Sequence, residues 1–279
     1  MWLYWLSSVP TTSCAPAERQ VVTTPRHTSH HGCDSLDMRG MRCGLTSDSW
    51  KTVTLDVTKT ESISCRLWGL VNNAGITLAW APNQCLTKRD FVTILDVNLL
   101  GVIEVTLSLL SLVRKARGRV VNVSSIGGRV SIIGGGDSIS KYGIEAFSDS
   151  LRRELAPFGV KVAIIEPSFF KTNMTNTERV LLQVQEVWDR APPEIKEIYG
   201  EKCLASYVKL LSEHILPKCN ENLSEVMDYM EHALTACHPR TRYSAGWDAK
   251  LLYLPMSYMP TFLVDAIVTW GLPRPAKAL

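Results

Sequence analysis

Asp137 and Lys141 lie where a glycine-rich turn, Gly134 to Gly136, leads into an amphipathic helical pattern, and their side chains could act together in catalysis. Asp137 precedes Lys141 by four residues, about one helical turn, so the carboxylate and the ammonium group share a face if this stretch is helical. The positive charge favours the ionised carboxylate, and we therefore expect a lowered pKa for Asp137. A carboxylate beside a cation at a helix entry indicates a candidate catalytic site.

The elements that must position these side chains follow from hydrophobic periodicity. From Lys51 onward, short β-branched runs alternate with longer helical patterns. The predicted strands cover residues 52–57, 67–75, 118–125 and 160–167, and the predicted helices cover 90–116 and 140–155. Continuous hydrophobic strands separated by helices long enough for crossovers predict a parallel sheet covered on both faces. The expected fold class is α/β, a doubly wound, Rossmann-like sheet.

Sheets of this kind bind ligands at the carboxyl ends of their strands. Candidate binding residues therefore follow the strands directly: Asp56, Asn72 to Gly75, Ser124, Ser125 and Pro167. Beyond about Thr172 the chain becomes helical and more charged, with Pro192 and Pro193 separating two helices. This C-terminal extension is either a lid over the site or a plain helical appendage.

The first fifty residues lack the features that open a nucleotide-binding sheet. Such a sheet begins with a buried strand, a glycine-rich turn and a helix whose N-terminus faces a diphosphate. Here Val21 and Val22 are followed closely by Pro25, and we expect no strand of useful length before Gly32. No further glycines follow at the required spacing, so we interpret the N-terminal strand–helix unit as degraded or missing.

A histidine cluster lies in the same region, at positions 27, 30 and 31. No carboxylate or cysteine pattern accompanies it, so we expect a polar loop and no metal site. We divide the chain into a degraded N-terminal segment (1–50), a Rossmann-like core (51–172) and a helical lid with a hydrophobic tail (173–279).

Composition excludes several classes of protein. The formal charge of +3 comes from 30 basic and 27 acidic residues mixed along the chain, so nucleic acid is not an expected partner. Eight cysteines at irregular spacings indicate scattered free thiols.

The opening MWLYWL is too short to span a membrane. Residues 251–270 are strongly apolar but interrupted by Pro255, Pro260 and Asp265, so they either dock on the domain or dip into a bilayer face.

Four short motifs occur in a fixed order: Asp56-Val57, NNAG at 72–75, NVSS at 122–125, and Lys141 near a helix start. Together they resemble the short-chain dehydrogenase/reductase family, from about Lys51 to the end of the chain. LWGLVNNAGI, SKYGIEAFSDSLRREL and HPRTRYSAGWDAKLLYLP are similar to the retinol and hydroxysteroid dehydrogenase branch, and in particular to the microsomal retinol dehydrogenases. The resemblance implies an oxidoreductase that uses NAD, with NADP as the alternative, on a retinoid or steroid.

The same resemblance implies roles for individual residues. The family's Tyr-x-x-x-Lys motif places its acid/base tyrosine at Asp137 and its ribose-binding lysine at Lys141. Ser125 matches the serine that hydrogen-bonds the reacting oxygen, although Ser124 is a neighbouring candidate. Asn98 matches a proton-relay asparagine, with an ordinary buried asparagine as the alternative. The residues matched to cofactor contacts are Asp56, Val57, Asn72, Ala74, Gly75, Lys141 and Thr172. Asp56 could instead cap a helix.

The resemblance further implies attachment to the endoplasmic reticulum membrane and allows a homodimer through helices 90–116 and 140–155. Two departures stand against full activity: the glycine-rich turn is absent, and Asp137 replaces the tyrosine. An ionised Asp137 cannot donate a proton and is shorter than a phenol by a ring. Tyr142 points away from position 137 and does not substitute for it. We expect an oxidoreductase with impaired activity; the alternatives are a non-catalytic protein that binds a retinoid, a steroid or a partner, and a chain without a stable fold.

Overall fold

A computed structural model describes residues 20–23, 42–45, 53–54 and 67–278, apart from residues 79 and 133. The predicted cofactor contacts Asp56 and Val57 lie outside the described residues. So does the whole stretch 24–41, which contains the histidine cluster and the place where a glycine-rich turn would be expected.

Within the described residues, seven strands form one sheet. They are β1 (Gln20–Thr23), β2 (Arg42–Leu45), β3 (Val53–Thr54), β4 (Gly69–Asn72), β5 (Arg119–Val123), β6 (Lys161–Pro167) and β7 (Arg242–Ala245). Their order in the sheet is β3-β2-β1-β4-β5-β6-β7. β2 is antiparallel to both its neighbours, whereas β1, β4, β5, β6 and β7 run parallel. This is the doubly wound order, and it reverses between β1 and β4.

The expectation that no useful strand precedes Gly32 was wrong. β1 pairs in parallel with β4, with Val21 opposite Gly69 and Val22 opposite Leu70, and it pairs with β2 on its other side. A short run of β-branched residues gains ladder hydrogen bonds when it has a partner on both sides, which its sequence alone does not reveal. The inner position of the sheet between β2 and β4 is therefore filled.

Helices cover both faces of the sheet. They are α1 (Lys88–Leu95), α2 (Gly101–Ala116), α3 (Gly136–Leu155), α4 (Thr177–Arg190), α5 (Pro193–Tyr199), α6 (Glu201–Lys209), α7 (Ser224–Thr235), α8 (Leu254–Met256) and α9 (Thr261–Thr269). On one face, Leu109 of α2 and Leu151 of α3 share a core with Val120 of β5. On the other, Leu234 of α7 shares a core with Val121. Adjacent residues of β5 thus face opposite layers, as a doubly wound sheet requires.

The long predicted helix is present and runs from Lys88 to Ala116, with a π-helical turn at Asp96–Leu100 between α1 and α2. Among the described helices it is the one long and apolar enough to cross a membrane. It also forms the crossover between β4 and β5, and Val105, Leu109 and Val113 are buried in the core beneath it. Packing against the sheet accounts for these apolar residues.

α3 begins at Gly136, earlier than the predicted start at Ser140, which places Asp137 in its first turn. Gly135 precedes the helix with φ 105°, a left-handed conformation that favours glycine. At Gly134, a Cβ atom would lie only 2.4 Å from the carbonyl oxygen of Ala81. The glycines of this entry turn therefore allow both the sharp start of the helix and a close approach of two chain segments.

The C-terminal extension is helical as predicted, but it also contributes a strand that the sequence analysis did not predict. β7 pairs with β6, with Tyr243 opposite Ile165. α5 starts at Pro193, which confirms the predicted break. The end of the chain folds back onto α5, where the Ala276 N–H donates to the carbonyl oxygen of Tyr199 at 3.0 Å.

Candidate active site

Ser125 and Asp137 line one small cavity of about 50 Å³, which Trp80 also borders. Ser125 lies two residues after the end of β5. Its hydroxyl donates to the Pro167 carbonyl oxygen at 3.3 Å and accepts from the Gly127 N–H at 3.2 Å. The serine is therefore held between the carboxyl ends of β5 and β6, where open α/β sheets bind their ligands.

Ser124 does not occupy an equivalent place. It is buried, and its hydroxyl donates to the backbone carbonyl of Lys141 at 3.3 Å. The packing around it is tight, since a Cβ atom on Gly128 would lie 2.7 Å from its Oγ. Of the two neighbouring serines, Ser125 is the one that lines the cavity.

Asn98 joins two parts of the site. It is buried in the π-helical turn, where its Oδ1 accepts from the Ile76 N–H at 2.8 Å and its Nδ2 donates to the Ile76 carbonyl oxygen at 2.9 Å. Nδ2 also lies 3.4 Å from Asp137 Oδ1 and 3.3 Å from Ser140 Oγ. π-helical turns of this kind are frequent at functional sites. One amide therefore connects the segment after β4 with the first turn of α3.

The expected direction of the Asp137 pKa was wrong. Burial raises the pKa of this carboxyl above its usual value, and the attraction of Lys141, which lowers it, is the smaller effect. An enclosed carboxylate loses its hydration, and one neighbouring ammonium group does not replace it. Asp137 therefore keeps its proton to a higher pH than an aspartate in water, and in its neutral form it can donate that proton.

Lys141 lies one turn further along α3 and is buried. Its Nζ donates to the Val123 carbonyl oxygen at 3.2 Å, which holds the ammonium group at the end of β5. Tyr142 is exposed, and its hydroxyl donates to the Arg129 carbonyl oxygen at 2.7 Å. The Tyr142 hydroxyl is thus bound to the Arg129 backbone, and that Tyr142 does not substitute at position 137 stays a prediction.

Asn72 connects elements of the fold instead of facing a ligand with its side chain. Its Nδ2 donates to Thr106 Oγ1 at 2.9 Å and to Asn122 Oδ1 at 2.8 Å. Asn122 in turn donates to Ser148 Oγ of α3 at 2.8 Å. The bond between Asn72 and Asn122 ties the neighbouring strands β4 and β5 together.

Ala74 and Gly75 follow β4 at the same edge of the sheet. A Cβ atom on Gly75 would meet only the Asn98 side chain, at 3.5 Å, among the residues that the structure describes. This is ordinary van der Waals contact, so the protein itself leaves room for a ligand here. Thr172 follows β6 and caps a short 3₁₀ turn, with its Oγ1 accepting from the Met174 N–H at 3.2 Å.

A larger cavity of about 290 Å³ adjoins the small one, and both are lined by Ile132 and Gly134. Its volume is close to the lower end of the range for small-molecule sites. Apolar side chains from α4, α6, the segment after it and the chain end form most of the wall: Val184, Val187, Trp188, Leu204, Leu210 and Leu272. The helical extension therefore covers an apolar cavity that adjoins the one lined by Ser125 and Asp137.

Sequence analysis missed the polar residues of this larger cavity, Cys85, Tyr199, Cys203 and Tyr207. A signal was available in part, because Cys203 and Tyr207 are four residues apart and so share a face of α6. The spacing alone could not show that this face borders a cavity.

Comparison with known proteins agrees with this geometry. The chain matches the short chain dehydrogenase family over residues 21–180. Retinol dehydrogenase 16 of Homo sapiens is 61% identical to it over 299 aligned positions, which cover 94% of each protein. The chain belongs to the short chain dehydrogenase family. The expected similarity to the retinol and hydroxysteroid dehydrogenase branch is confirmed as well, since 17-beta-hydroxysteroid dehydrogenase type 6 of Homo sapiens is 48% identical, again over 94% of each protein.

A third relative of this short chain dehydrogenase, retinol dehydrogenase 7 of Rattus norvegicus, is 54% identical over 318 aligned positions that include all of both chains. Because this chain has 279 residues, 39 of those 318 positions have no residue in it. The fold is shared with a solved short chain dehydrogenase of Burkholderia cenocepacia, at a TM-score of 0.53 and 18% identity, covering 80% of this chain and 78% of that one.

Proposed function

We propose that this short chain dehydrogenase is a nicotinamide-dependent oxidoreductase of retinoid or hydroxysteroid alcohols whose activity is impaired. The observation that carries the proposal is the placement of Ser125 and Asp137 in one cavity, with Lys141 one turn from Asp137. The adjoining apolar cavity fits the body of an apolar alcohol. The relatives named for retinol and hydroxysteroid dehydrogenation support this substrate class.

The edge of the sheet fits a nicotinamide cofactor in the part that the structure describes. Ala74 and Gly75 leave room for a close approach, and Lys141 and Thr172 stand at the ends of the neighbouring strands. When bound, such a cofactor would exchange a hydride with the reacting carbon. Asp56 and Val57 complete the proposed set of contacts. We propose NAD, with NADP as the alternative.

The residues of the site have distinct roles in the proposed reaction. The Ser125 hydroxyl hydrogen-bonds the reacting oxygen. In oxidation, the ionised Asp137 takes the proton of the alcohol as the carbon loses its hydride; in reduction, the neutral Asp137 returns a proton to the carbonyl oxygen. Lys141 stabilises the charged form of Asp137, and Asn98 positions the carboxyl group through its amide.

Two features reduce the rate in this proposal. A carboxyl group at position 137 is shorter than a phenol, so the proton is transferred over a longer path, and loss of a well-positioned acid or base costs about 10²–10⁴ in rate. The 39 alignment positions at which this chain has no residue support the proposal that it is shortened relative to retinol dehydrogenase 7 of Rattus norvegicus. A missing phosphate-binding turn would weaken cofactor binding as well.

A non-catalytic binding protein is the second candidate, and one observation favours it. The larger cavity is formed by residues other than Asp137, so its capacity to hold an apolar ligand does not depend on proton transfer. Such a protein would bind a retinoid or steroid without converting it.

We further propose that α9 attaches the protein to a membrane, at the endoplasmic reticulum as the resemblance implies. Phe262 and Trp270 are 68% and 92% exposed, which is unusual for large apolar residues of a helix. Leu263 and Ile267 are exposed as well, so apolar surface extends around most of α9 and is interrupted by Thr261, Asp265 and Thr269. A helix with this pattern suits the plane of a membrane surface.

A homodimer is proposed through the two helices that the resemblance implies. Leu100 and Leu107 are exposed on the helix from Lys88 to Ala116, and Ile139 is exposed on α3. Burying these side chains against a second copy would remove apolar surface from water.

Restoring the phenol tests the proposed reaction. In Asp137→Tyr we expect all-trans-retinol oxidation with NAD to rise by about 10²–10⁴ over the parent chain. Asp137→Phe is the matched control, because it adds the ring without the hydroxyl and should not raise the rate. Two negative results together would contradict an oxidoreductase: no NAD-induced thermal shift in the parent chain and no activity in Asp137→Tyr. Saturable retinol binding with no turnover in either variant would favour the binding protein.

A further inference from the structure

The larger cavity contains polar groups away from Ser125 and Asp137. Tyr199 and Tyr207 line it, together with the thiols of Cys85 and Cys203, and none of these four residues lines the smaller cavity. Cys85 interacts electrostatically with both phenols, so the polar groups form one cluster within an otherwise apolar wall.

Neither phenol has a hydrogen-bond partner in the part of the chain that the structure describes. Other tyrosines do have partners: the Tyr142 hydroxyl donates to a carbonyl oxygen, and the Tyr243 hydroxyl accepts from the Arg240 N–H at 2.8 Å. Neither the Tyr199 hydroxyl nor the Tyr207 hydroxyl is fully enclosed by protein, so both stay accessible. Burial raises the pKa of each phenol, which keeps it neutral and able to donate.

We propose that Tyr199 and Tyr207 form a second polar subsite, which binds an oxygen at the end of the ligand remote from the reacting carbon. This rests on the proposed function, since the reacting end must lie at Ser125. The ligand class is an apolar molecule with an oxygen at each end, as in a steroid oxygenated on its first and last rings. Retinol has a single oxygen, at its reacting end, and leaves both phenols without a partner.

The energy of a hydrogen bond sets the size of the expected preference in affinity. A neutral hydrogen bond contributes about 0.5–1.5 kcal/mol, which corresponds to about 3–10-fold in affinity, and a phenol left dry and unpaired adds to the difference. The subsite should therefore change which ligand binds well without being required for apolar binding as such.

Ligand binding to the full chain in detergent tests the subsite without relying on turnover. The probes are a steroid with an oxygen on both end rings and its analogue that lacks the oxygen distant from the reacting hydroxyl. Quenching of tryptophan fluorescence reports binding, since Trp188 lines the cavity. We expect the parent chain to bind the first steroid about tenfold more tightly, and Tyr199→Phe/Tyr207→Phe to reduce this preference to about twofold or less.

Tyr142→Phe is the matched control, because Tyr142 is exposed and lines neither cavity; it should keep the preference. Equal binding of both steroids by the parent chain would overturn the subsite while leaving the proposed function standing. A preference that persists unchanged in the double variant would also overturn it. Binding of neither steroid and no retinol binding would overturn the proposed function together with the subsite.

Discussion

The Asn98 side-chain amide and the Asp137 carboxyl group lie 3.4 Å apart, from Nδ2 to Oδ1, at the entry of α3. The same amide makes two shorter bonds to the backbone of Ile76. Asn98 is therefore held mainly by the segment after β4, and its hydrogen bond to Asp137 is the longer one. The carboxyl group receives one long hydrogen bond, which is weak compensation for its burial, and this is consistent with its raised pKa.

Asp137→Asn should make the protein more stable at neutral pH than the parent chain. Since the folded-state pKa of Asp137 lies above its unfolded value, the parent loses stability as pH rises through the folded pKa, and the amide does not titrate. The difference in unfolding free energy should grow from about pH 4 upward, by at most about 1.4 kcal/mol per pH unit. Urea unfolding over a pH series measures it.

Asp149→Asn is the control with the opposite sign. Burial alone would raise the pKa of Asp149, but hydrogen bonds from Arg242 and Arg152 lower it overall. This variant should therefore lose stability relative to the parent as pH rises above the lowered pKa. A stability difference for Asp137→Asn that stays flat with pH would mean that burial does not raise the pKa of Asp137.

Asn98→Ala should cost about 1–3 kcal/mol of unfolding free energy, because it leaves the N–H and carbonyl of Ile76 without their partner. In an Asp137→Tyr background it should also slow turnover, since it changes the surroundings of position 137. Thr93→Ala on α1 is the control, as its exposed hydroxyl bonds only to the Arg89 carbonyl oxygen. Equal unfolding free energies for the two variants would show that Asn98 has no structural role.

Local pattern sufficed to predict the sheet from β4 to β6 and the neighbourhood of Ser125, Asp137 and Lys141. Those features depend on strand periodicity and helical spacing, which are visible in short stretches of the sequence. β1 was missed because four residues become a strand only through partners on both sides. The pKa of Asp137 was predicted in the wrong direction because a charge four residues away is visible in sequence, whereas enclosure by distant elements is not.

Arg242→Met should be among the most destabilising single changes in the core. Arg242 bonds to Glu145 at 2.8 Å, Asp149 at 3.1 Å and Glu166 at 3.2 Å, and so links α3 with β6 and β7. Its removal leaves Glu145 and Glu166 buried without their cation, which costs about 3–5 kcal/mol. Chemical denaturation at neutral pH measures the loss.

The pH dependence of that loss provides a second readout. Burial and the neighbouring Glu166 already raise the pKa of Glu145, so the loss should shrink as pH falls and the Glu145 carboxyl becomes neutral. Arg153→Met is the control: its side chain is 69% exposed and lies 3.7 Å from Asp149, so it should cost at most about 1 kcal/mol. A similar cost for both arginines would contradict a central role of Arg242.

Phe262→Ser/Trp270→Ser should reduce co-sedimentation with phosphatidylcholine vesicles by about tenfold or more, because each large apolar side chain contributes about 1.5–3 kcal/mol when it leaves water. Leu182→Ser is the matched control, since Leu182 is 64% exposed on α4 but is not part of the apolar face of α9. Unchanged sedimentation of the double variant would place the membrane contact elsewhere in the chain. An equal loss for the control would mean that any exposed apolar residue contributes, and α9 would then have no special role.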